Sequence, residues 1–568
     1  MINKKPYIEV NHDKKACWQG WKDIIEELNN KIQDIGKKKT VIVVECYHGT
    51  YENLILQALK EGISPTATCI TNNLFKEEDQ IRKMVQKYVL DGHLFGRYFN
   101  QDIEEFFDEA KLEGILNNID FIDEGIILIF GIGASKIYEA DILIYSDMSP
   151  WEIQQRLRRN DISNIGVSNA TDTFLKKYRW AVYVDWKVCN RLKKKLIPKC
   201  DYFLESNNWA KPKLVNGELL RQALKQTVKQ PFFQAPFFDP ELWDTQLKNG
   251  SDNSPVDKEF FWYFNCMQDE NNILLKFDDI LFEIPVINLI YYQPKELMGK
   301  LVFKKFGSEL PIYLDFVDTL ESENMLFSVE PETDFIRDQF DVHYFPDKIY
   351  YFMHAKADAK IHLCWKKGLS VNQKNKFLTS IGKNHTNANK FLQEFKVKSH
   401  DFLAIPAGVI HGSGENAMVL RIGSAPDIYS VKLWDSNGEY YSFLSKEFHE
   451  ELISFNGENI ELSSPVFVLE EENKQKTEKL GSDLGAWLEV RRFTFESKVH
   501  YHTEGNIHVL NLVEGDEVIV SSPNDQFPPL IVHYAETFIM PACIGEYCIT
   551  PSEKHKSKQC KILRLFIN

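Results

Sequence analysis

The sequence predicts an α/β N-terminal domain followed by an all-β module of the jelly-roll type with a small helical insertion. Residues 1–230 alternate short apolar runs with longer amphipathic stretches. From residue 231 the apolar runs become closely spaced, with little helical periodicity between them. A charged segment poor in apolar residues, 470–479, then precedes a last group of strands. These observations predict domains at 1–230, 231–465 and 480–568.

The first domain is predicted from apolar runs of strand length at 40–47, 126–131, 141–146, 180–185 and 201–204. Amphipathic stretches such as 150–159 and 217–228 separate these runs and predict helices. Short buried strands that alternate with helices favour a mainly parallel sheet covered on both faces. The domain is therefore expected to belong to the α/β class.

The second domain is predicted from strands at 273–277, 280–290, 312–316, 327–329, 348–354, 359–365, 402–405, 417–422 and 429–433. Helical character returns near 372–395, which predicts a helical insertion at about 370–398. Strands at this density are typical of a sandwich or jelly roll. The charged segment 470–479 is expected to be a flexible connection. Further strands predict a second, smaller β domain, at 487–495, 507–512, 517–521, 536–540 and 562–566.

Composition limits the classes of partner. The chain has 568 residues, 43% of them hydrophobic, and a formal net charge of −15. That charge argues against nucleic acid and anionic membrane, since both require clustered positive charge. The ten cysteines lack C-x-x-C spacing, which is typical of reduced thiols. No signal peptide or membrane helix is predicted, because the apolar runs fall short of about 20 residues. We expect a cytoplasmic protein.

The N-terminal domain has a loop at the position of a phosphate loop, E-C-Y-H-G-T-Y at 45–51. The loop has one glycine, no lysine and no following serine, so it lacks the chemistry that binds nucleotide phosphates. The strand and helix at 140–159 nevertheless resemble those of nucleoside and uridine kinases. Arg156, Arg158 and Arg159 are either former phosphate contacts or a solvated helix face. We expect a kinase-like domain with a degenerate phosphate loop.

Two segments of the second domain predict a pocket. In I-P-A-G-V-I-H-G-S-G, residues 405–414, small residues surround the single imidazole of His411, which suggests a strand end that opens onto a cavity. The other segment is 326–351. Together they resemble the cupin core of class I mannose-6-phosphate isomerases, which binds zinc through a Gln-Val-His-Pro tetrad, a Glu-x-Tyr-Tyr glutamate and the histidine of Ile-Pro-Ala-Gly-x-x-His. The corresponding positions here are Ser328, Glu330, Lys348 and His411.

The resemblance extends over nearly the whole chain, because a bacterial branch of these isomerases also carries an N-terminal α/β domain. It includes F-E-I-P-V-I-N-L-I-Y at 282–291, V-K-L-W-D at 431–435, L-V-E-G-D at 512–516 and Y-A-E-T-F-I-M-P-A at 534–542. It implies a bicupin module after residue 230. It also implies an isomerase site that interconverts an aldose phosphate and a ketose phosphate through a zinc-stabilised enediolate.

The residues at the four ligand positions predict that no zinc is bound there. A divalent cation needs several lone-pair donors at about 2.0–2.2 Å, and a protonated lysine offers none. Glu330 and Lys348 would instead place opposite charges where two ligands face each other, so an ion pair would replace the metal. The alternative is that both are solvated surface residues. No cofactor is expected.

The resemblance also implies roles for single residues. Lys432 stands where many members carry an arginine thought to assist proton transfer. Candidate catalytic residues are therefore His411, Lys432 and Lys348, and candidate substrate-binding residues are Arg421 and Lys432. Two functions stay open: a mannose-6-phosphate isomerase-like enzyme of hexose-phosphate metabolism, or a catalytically inactive sugar-phosphate-binding or interaction protein that retains the fold. The expected partner is in both cases a small-molecule sugar phosphate.

Other histidines offer weaker metal hypotheses. His500 and His502 alternate in V-H-Y-H at 499–502, so they share one face of a strand, and with His508 they would form a cluster. Ordinary surface histidines are the alternative. His343 lies between the substituted ligand positions and is a further candidate ligand, with packing or hydrogen bonding as the alternative. The G-I-G-A run at 131–134 is interpreted as a turn, since no acidic residue is placed to hold a ribose.

Overall fold

The structure, a computed structural model, describes residues 3, 5–12, 15–89, 96–238, 261–266, 268, 270–320, 327–340, 347–378, 390–425, 431–432, 466–472, 474–481, 487–553 and 559–568. Over these ranges the chain combines one largely parallel sheet with several antiparallel sheets. In the same ranges, no helix has both the length and the apolar character that spanning a bilayer requires.

The N-terminal part contains the elements of an α/β unit. Its strands are β1 (Tyr7–Glu9), β2 (Cys17–Gln19), β3 (Lys39–Cys46), β4 (Ala67–Ile70), β5 (Gly125–Gly131), β6 (Ile142–Asp147), β7 (Tyr202–Glu205) and β8 (Lys213–Asn216). Its α-helices are α1 (Trp21–Ile35), α2 (Glu52–Ile63), α3 (Glu78–Val89), α4 (Glu109–Asp120), α5 (Pro150–Arg158), α6 (Phe174–Trp180), α7 (Trp186–Leu196) and α8 (Gly217–Thr227). Helices of one turn cover Thr71–Leu74, Ile103–Phe106 and Ala134–Lys136.

Local sequence signals explain several helix starts. Asp108 and Asn216 accept hydrogen bonds from the first free amides of α4 and α8, which is the usual role of an N-cap side chain. Helix α5 begins at Pro150. Proline is favoured at the first helical position, since an amide there would have no partner within the helix and proline has none. The predicted helices at 150–159 and 217–228 are confirmed.

The central sheet has the strand order β2-β8-β7-β6-β3-β5-β4. Strands β3 to β7 are parallel, while β8 and β2 run antiparallel at one edge. Strand β3 is central and almost entirely buried between β5 and β6. The carboxyl ends of the five parallel strands therefore meet at one edge of the sheet, with the end of β3 in the middle.

One predicted strand of this unit is wrong. Residues 180–185 lie in a continuous helical segment, in which α6 passes through a π-helical turn, Ala181–Asp185, into α7. Trp180, Tyr183 and Val184 are buried on this segment. A short apolar run buried all round has the same pattern in a strand and in a helix, so its periodicity did not distinguish them.

The second part of the chain contains β9 (Phe237–Phe238), β10 (Phe261–Cys266), β11 (Asn272–Phe277), β12 (Ile280–Pro285), β13 (Tyr313–Asp318), β14 (Phe327–Val329), β15 (Lys348–Trp365), β16 (Leu392–Lys396), β17 (Phe402–Ile405), β18 (His411–Gly412), β19 (Glu415–Gly423) and β20 (Val431–Lys432). Its helices are α9 (Val286–Tyr292), α10 (Pro294–Met298), α11 (Lys300–Phe306), α12 (Thr333–Phe340) and α13 (Val371–Leu378). Helix α13 lies in the predicted helical insertion, and β16 follows it within the same range.

A small sheet joins the N-terminus to this part, because β1 pairs in parallel with β11 of the β11–β12 hairpin. The predicted strand 280–290 is only half correct. It ends at Pro285, and α9 begins at the next residue. The apolar run continues through both elements, so hydrophobicity alone does not mark the boundary.

The main sheet of the second part is curled and has the strand order β20-β14-β18-β15-β19-β13-β10-β9. The long strand β15 changes partners along its length. Its beginning pairs with β17 and β19, and its end pairs with β16 and β18. Apolar side chains of β15, β17 and β19, including Phe352, Leu403 and Val419, pack inside the curl. This mixed α/β organisation with a curled sheet agrees with the predicted fold class in its coarse features.

The last part contains β21 (Val466–Glu472), β22 (Gln475–Leu480), β23 (Leu488–Phe495), β24 (Val499–His502), β25 (His508–Glu514), β26 (Glu517–Ser521), β27 (Leu530–His533), β28 (Thr537–Met540), β29 (Glu546–Pro551) and β30 (Cys560–Ile567). A short helix covers Ala542–Ile544. The strands form a six-stranded sheet, β21-β22-β23-β30-β25-β28, and a four-stranded sheet, β24-β29-β26-β27. Side chains from both sheets share one apolar core. The flexible connection expected at 470–479 is wrong, because most of it pairs in the β21–β22 hairpin.

Candidate functional site

Register across the curled sheet brings the predicted site residues together. Ser328 on β14 lies opposite His411 on β18. On β15, the strand next to β18, Tyr350 lies opposite Arg421 of β19. Arg421 in turn lies opposite Asp315 of β13. Because residues two apart on a strand share a face, Lys348 lies on the same face as Tyr350.

The predicted contact between Glu330 and Lys348 is present. Lys348 Nζ lies 4.0 Å from Glu330 Oε1, and their side chains are 8% and 3% exposed. At this separation the two groups form an ion pair without a short hydrogen bond. Gly423 leaves room for the lysine, since a Cβ there would lie 3.2 Å from Lys348 Cδ and 3.3 Å from Nζ. The alternative, two solvated surface residues, is wrong.

His411 lies against the same glutamate. Its Nδ1 donates to the carbonyl of Val409 at 2.8 Å, and its Nε2 lies 3.5 Å from Glu330 Oε2. Burial, the largest influence, lowers the pKa of His411 and favours the neutral imidazole, although the Glu330 carboxylate acts in the opposite direction. In that form Nε2 is an acceptor, and it has no hydrogen-bond partner among the described residues.

Arg421 is committed to a carboxylate inside the sheet. Its Nε donates to Asp315 Oδ1 at 2.7 Å and its Nη2 donates to Oδ2, which makes the pair bidentate. Both side chains are almost fully buried. Burial raises the pKa of Tyr350, which shares a hydrogen bond with Arg421. The guanidinium charge is therefore neutralised internally, and the role of Arg421 in substrate binding stays a prediction.

Asp315 was not predicted as a site residue. The sequence signal that could have identified it is a charged side chain inside the apolar run 312–316, since a carboxylate on a buried strand needs a partner. Lys432 is described only through its backbone, which lies opposite Ser328 at the edge of the curled sheet. The role expected for its side chain stays a prediction. His343 lies outside the described residues.

The family's zinc does not fit the described residues at its predicted position. Glu330 offers its two carboxylate oxygens and His411 offers Nε2, so only two of the four positions supply a strong metal ligand. Lys348 offers none and adds a positive charge beside them. Ser328 contributes only a neutral hydroxyl. Among the described residues, no group of three or more His, Cys, Asp or Glu side chains is arranged to hold an ion.

The histidines of the last part have separate partners. His500 Nδ1 lies 3.3 Å from Cys548 Sγ, and His502 Nδ1 accepts the backbone amide of Glu504 at 2.9 Å. His508 lies on β25 in the other sheet, where its Nδ1 is 3.0 Å from the Tyr547 hydroxyl. Burial lowers the pKa of His508 well below its ordinary value. The three imidazoles are thus used in different local contacts.

Of the three arginines at 156–159, Arg156 departs from the solvated helix face, whereas the side chain of Arg159 is half exposed. Arg156 is fully buried, so the solvated helix face is wrong for this residue. Its guanidinium donates to the carbonyls of Gly49, Ser206 and Asn207 at 2.8, 3.1 and 2.9 Å. It also lies 3.7 Å from the centre of the Tyr51 ring. Arg156 therefore fixes the loop after β3 instead of pointing to solvent.

Restoring the family's donors gives a direct test of the ion-pair interpretation. The triple variant Ser328→Gln, Glu330→His and Lys348→Glu should bind about one zinc per chain, since four lone-pair side chains would then surround the site. The wild type should bind less than one zinc at this position. Elemental analysis after dialysis measures both, with His411→Gln in the triple variant as the control that removes a ligand. Stoichiometric zinc in the wild type that is lost with His411→Gln would contradict the interpretation.

Comparison with known proteins gives two kinds of match. Residues 20–229 match a family described as a domain of unknown function (DUF8485), which covers the α/β unit. No curated protein matches this chain.

Solved structures similar to this chain include mannose-phosphate isomerases. The Bacillus subtilis mannose 6-phosphate isomerase has 14% identity and a TM-score of 0.43, with 59% of this chain and 99% of that chain covered. A putative mannosephosphate isomerase from Archaeoglobus fulgidus has 15% identity and a TM-score of 0.39, covering 60% and 98%. The Salmonella typhimurium enzyme, bound to substrate (f6p) and zinc, has 8% identity and a TM-score of 0.39, covering 59% and 99%. At these values the similarity assigns no activity to this chain.

Proposed function

We propose that this chain is a sugar-phosphate-binding protein on a mannose-6-phosphate isomerase-like scaffold, with an internal ion pair where the family has its metal. The observation that carries the proposal is the buried Glu330–Lys348 pair beside His411. The motifs around residues 328–351 and 405–414 supply the sugar-phosphate class through their resemblance to the isomerases.

The chemistry of these groups favours binding over fast turnover. A metal-dependent isomerase polarises the carbonyl and hydroxyl oxygens of its sugar with the ion, which supplies several kcal/mol of transition-state stabilisation. Each 1.36 kcal/mol that is forfeited lowers the rate about tenfold. Lys348 is a weak substitute, because its charge already faces Glu330. With Arg421 and Lys348 committed to internal carboxylates, Lys432, whose backbone lies opposite Ser328, would be the cation that holds the phosphate of the sugar.

A second candidate function is slow, metal-independent isomerisation. Glu330 and His411 place a carboxylate and an imidazole 3.5 Å apart, the residue types that carry protons in enolisation. The carboxylate would take the proton from C2 of the sugar and return it to C1, while the imidazole would exchange protons with the adjacent oxygens. No cofactor would be needed. The same residues would thus serve binding and a residual reaction.

Calorimetry and an isomerase assay distinguish these functions. Mannose 6-phosphate should bind at least about tenfold more tightly than mannose, because the phosphate dianion needs a cationic partner. Lys432→Gln should remove this preference, whereas Lys474→Gln, at an exposed position of the β21–β22 hairpin, should not. Chelator should change neither binding nor any residual turnover. Failure to bind either sugar would refute the proposal, and turnover abolished by chelator would show that a metal acts after all.

A further inference from the structure

The α/β unit contains a crevice that the proposed sugar-phosphate site does not use. It has a volume of about 650 Å³ and lies at the carboxyl end of β3. Its walls are the loop and helix start at 48–54, the loop 161–168, and the side chains of Asn72, Phe75, Lys76 and Ile132. Strand β3 is where the chain passes from β5 on one side to β6 on the other, and ligands of open α/β sheets bind at such points.

The other half of this sheet edge is closed by the rest of the chain. Asp147 at the end of β6 accepts a hydrogen bond from Lys193 Nζ at 2.9 Å and another from Asn288 Nδ2 on α9 at 2.7 Å. All three side chains are buried. Helix α9 therefore covers the edge near β6, while the part near β3 and β5 stays open as the crevice.

The charged groups around the crevice are of both signs, and Asp161 is already paired with Arg159, whose Nε lies 2.9 Å from its Oδ2. Glu52 and Asp161 line the crevice, and Glu45 lies at the end of β3 beneath. Lys76, a lining ammonium, is bound to the carbonyl of Glu105 at 2.6 Å. Arg156 is turned into the core by its contacts with backbone carbonyls. The loop therefore lacks the several cations of a phosphate loop, and Glu52 is the lining carboxylate with no opposite charge paired to it among the described residues.

Glu52 is the acidic group best placed for a ligand. The Glu45 carboxylate is already occupied, since it accepts the amides of Gly133 and Ser135 at 2.6 and 2.8 Å. Glu52 accepts one hydrogen bond, from Asn72 Nδ2 at 2.9 Å, and no cation among the described residues pairs with it. Burial and the nearby Glu45 charge raise the pKa of Glu52 to about 7. A bound cation would relieve both effects.

We propose that this crevice binds a hydroxylated primary amine of aminosugar size. The ligand's ammonium group would pair with Glu52, and its hydroxyls would meet Asn72 and Ser163, which also line the crevice. The crevice is within the usual volume range of small-molecule sites, about 300–1,000 Å³. This site is separate from the curled sheet, so it does not depend on the sugar-phosphate proposal.

Calorimetry on the full chain with glucosamine tests the proposal. Glucosamine should bind at least about tenfold more tightly than glucose or N-acetylglucosamine, which have the same ring without the positive charge. Glu52→Gln should lower the affinity for glucosamine by a similar factor, since it removes the charge and preserves the shape of the side chain. Glu61→Gln, on an exposed position of the same helix α2, should leave binding unchanged. Affinity should rise from pH 6 to about pH 7, because the Glu52 carboxylate forms as pH approaches its pKa of about 7, and it should fall again at higher pH as the ammonium group of glucosamine loses its proton.

Several outcomes would overturn this inference. Equal binding of the three sugars would remove the role of the ammonium group. Tighter binding of ATP than of glucosamine would show a phosphate site instead. Unchanged glucosamine affinity in Glu52→Gln would place the ligand elsewhere, and an undetectable interaction in the wild type would refute the site. Circular dichroism of Glu52→Gln checks that a loss of binding does not reflect a loss of fold.

Discussion

Reversing one charge of the buried pair, by Glu330→Lys or Lys348→Glu, should lower the free energy of unfolding of the curled sheet by about 3–5 kcal/mol. Each single variant leaves two like charges facing each other in a site that excludes water. The double variant that exchanges the two residues restores opposite charges and should cost clearly less than the sum of the single effects. Hydrogen exchange of the β15 amides measures the free energy of unfolding of the curled sheet itself. A local measurement is needed because a chain with several sheets need not unfold in one step.

A partly exposed lysine on the same strand, Lys360, is the matched control; it pairs with Glu394 on β16 and, at 3.4 Å, with Glu415 on β19. Lys360 Nζ and Glu394 Oε2 lie 3.0 Å apart, a shorter distance than in the buried pair, with side chains 27% and 39% exposed. Lys360→Glu should cost no more than about 1 kcal/mol, since water screens these charges. The buried pair would lose its structural role if the effects of Glu330→Lys and Lys348→Glu were additive in the double variant, or if they were as small as that of Lys360→Glu.

Removing the guanidinium by Arg421→Met should destabilise the curled sheet by a similar amount, about 3–5 kcal/mol. The reason is that Asp315 would keep a buried carboxylate without its bidentate partner. Adding Asp315→Leu to the same chain should recover most of the loss, because apolar residues of similar size often replace a buried ion pair without cost. Denaturant unfolding followed by hydrogen exchange at β13 and β19 provides the measurement.

The same variants separate a structural role from substrate binding. If Arg421 only neutralises Asp315, the double variant Asp315→Leu, Arg421→Met should fold and bind mannose 6-phosphate as the wild type does. If Arg421 also contacts the phosphate, the folded double variant should lose that binding. Arg337→Met, at an exposed ion pair with Asp338, controls for a general effect of losing a positive charge. Wild-type stability in Arg421→Met alone would contradict the structural role.

Much of the fold was predictable because local patterns and packing agree in the α/β unit. The central strand β3 and the helices α5 and α8 carry clear periodicity and start signals. The wrong predictions have a common cause. Residues 180–185 and 286–290 are apolar runs buried by their surroundings, and their contacts, not their sequence period, make them helical. The hairpin at 466–480 was missed because its charged strands resemble a linker.

The candidate site was predictable in part. The family resemblance identified Ser328, Glu330, Lys348 and His411, and the structure brings Glu330, Lys348 and His411 into contact. The resemblance did not identify Asp315, because the partner of Arg421 depends on which strand pairs with β19. The crevice of the α/β unit was missed for the same reason, since Glu52 and Ser163 come from segments more than 100 residues apart.

The amino-acid sequence by itself determined the chemical identity of the groups: a lysine where the resemblance implies a metal ligand, a loop without phosphate-binding residues, and the order of α/β and β segments. Only the tertiary structure decided which charges neutralise each other. The physical reason is that these pairs span strands distant in sequence, and a shift of one residue in register would turn each side chain to the opposite face. Register across β13, β19 and β15 therefore makes Arg421 an internal partner of Asp315 and leaves Lys348 beside Glu330.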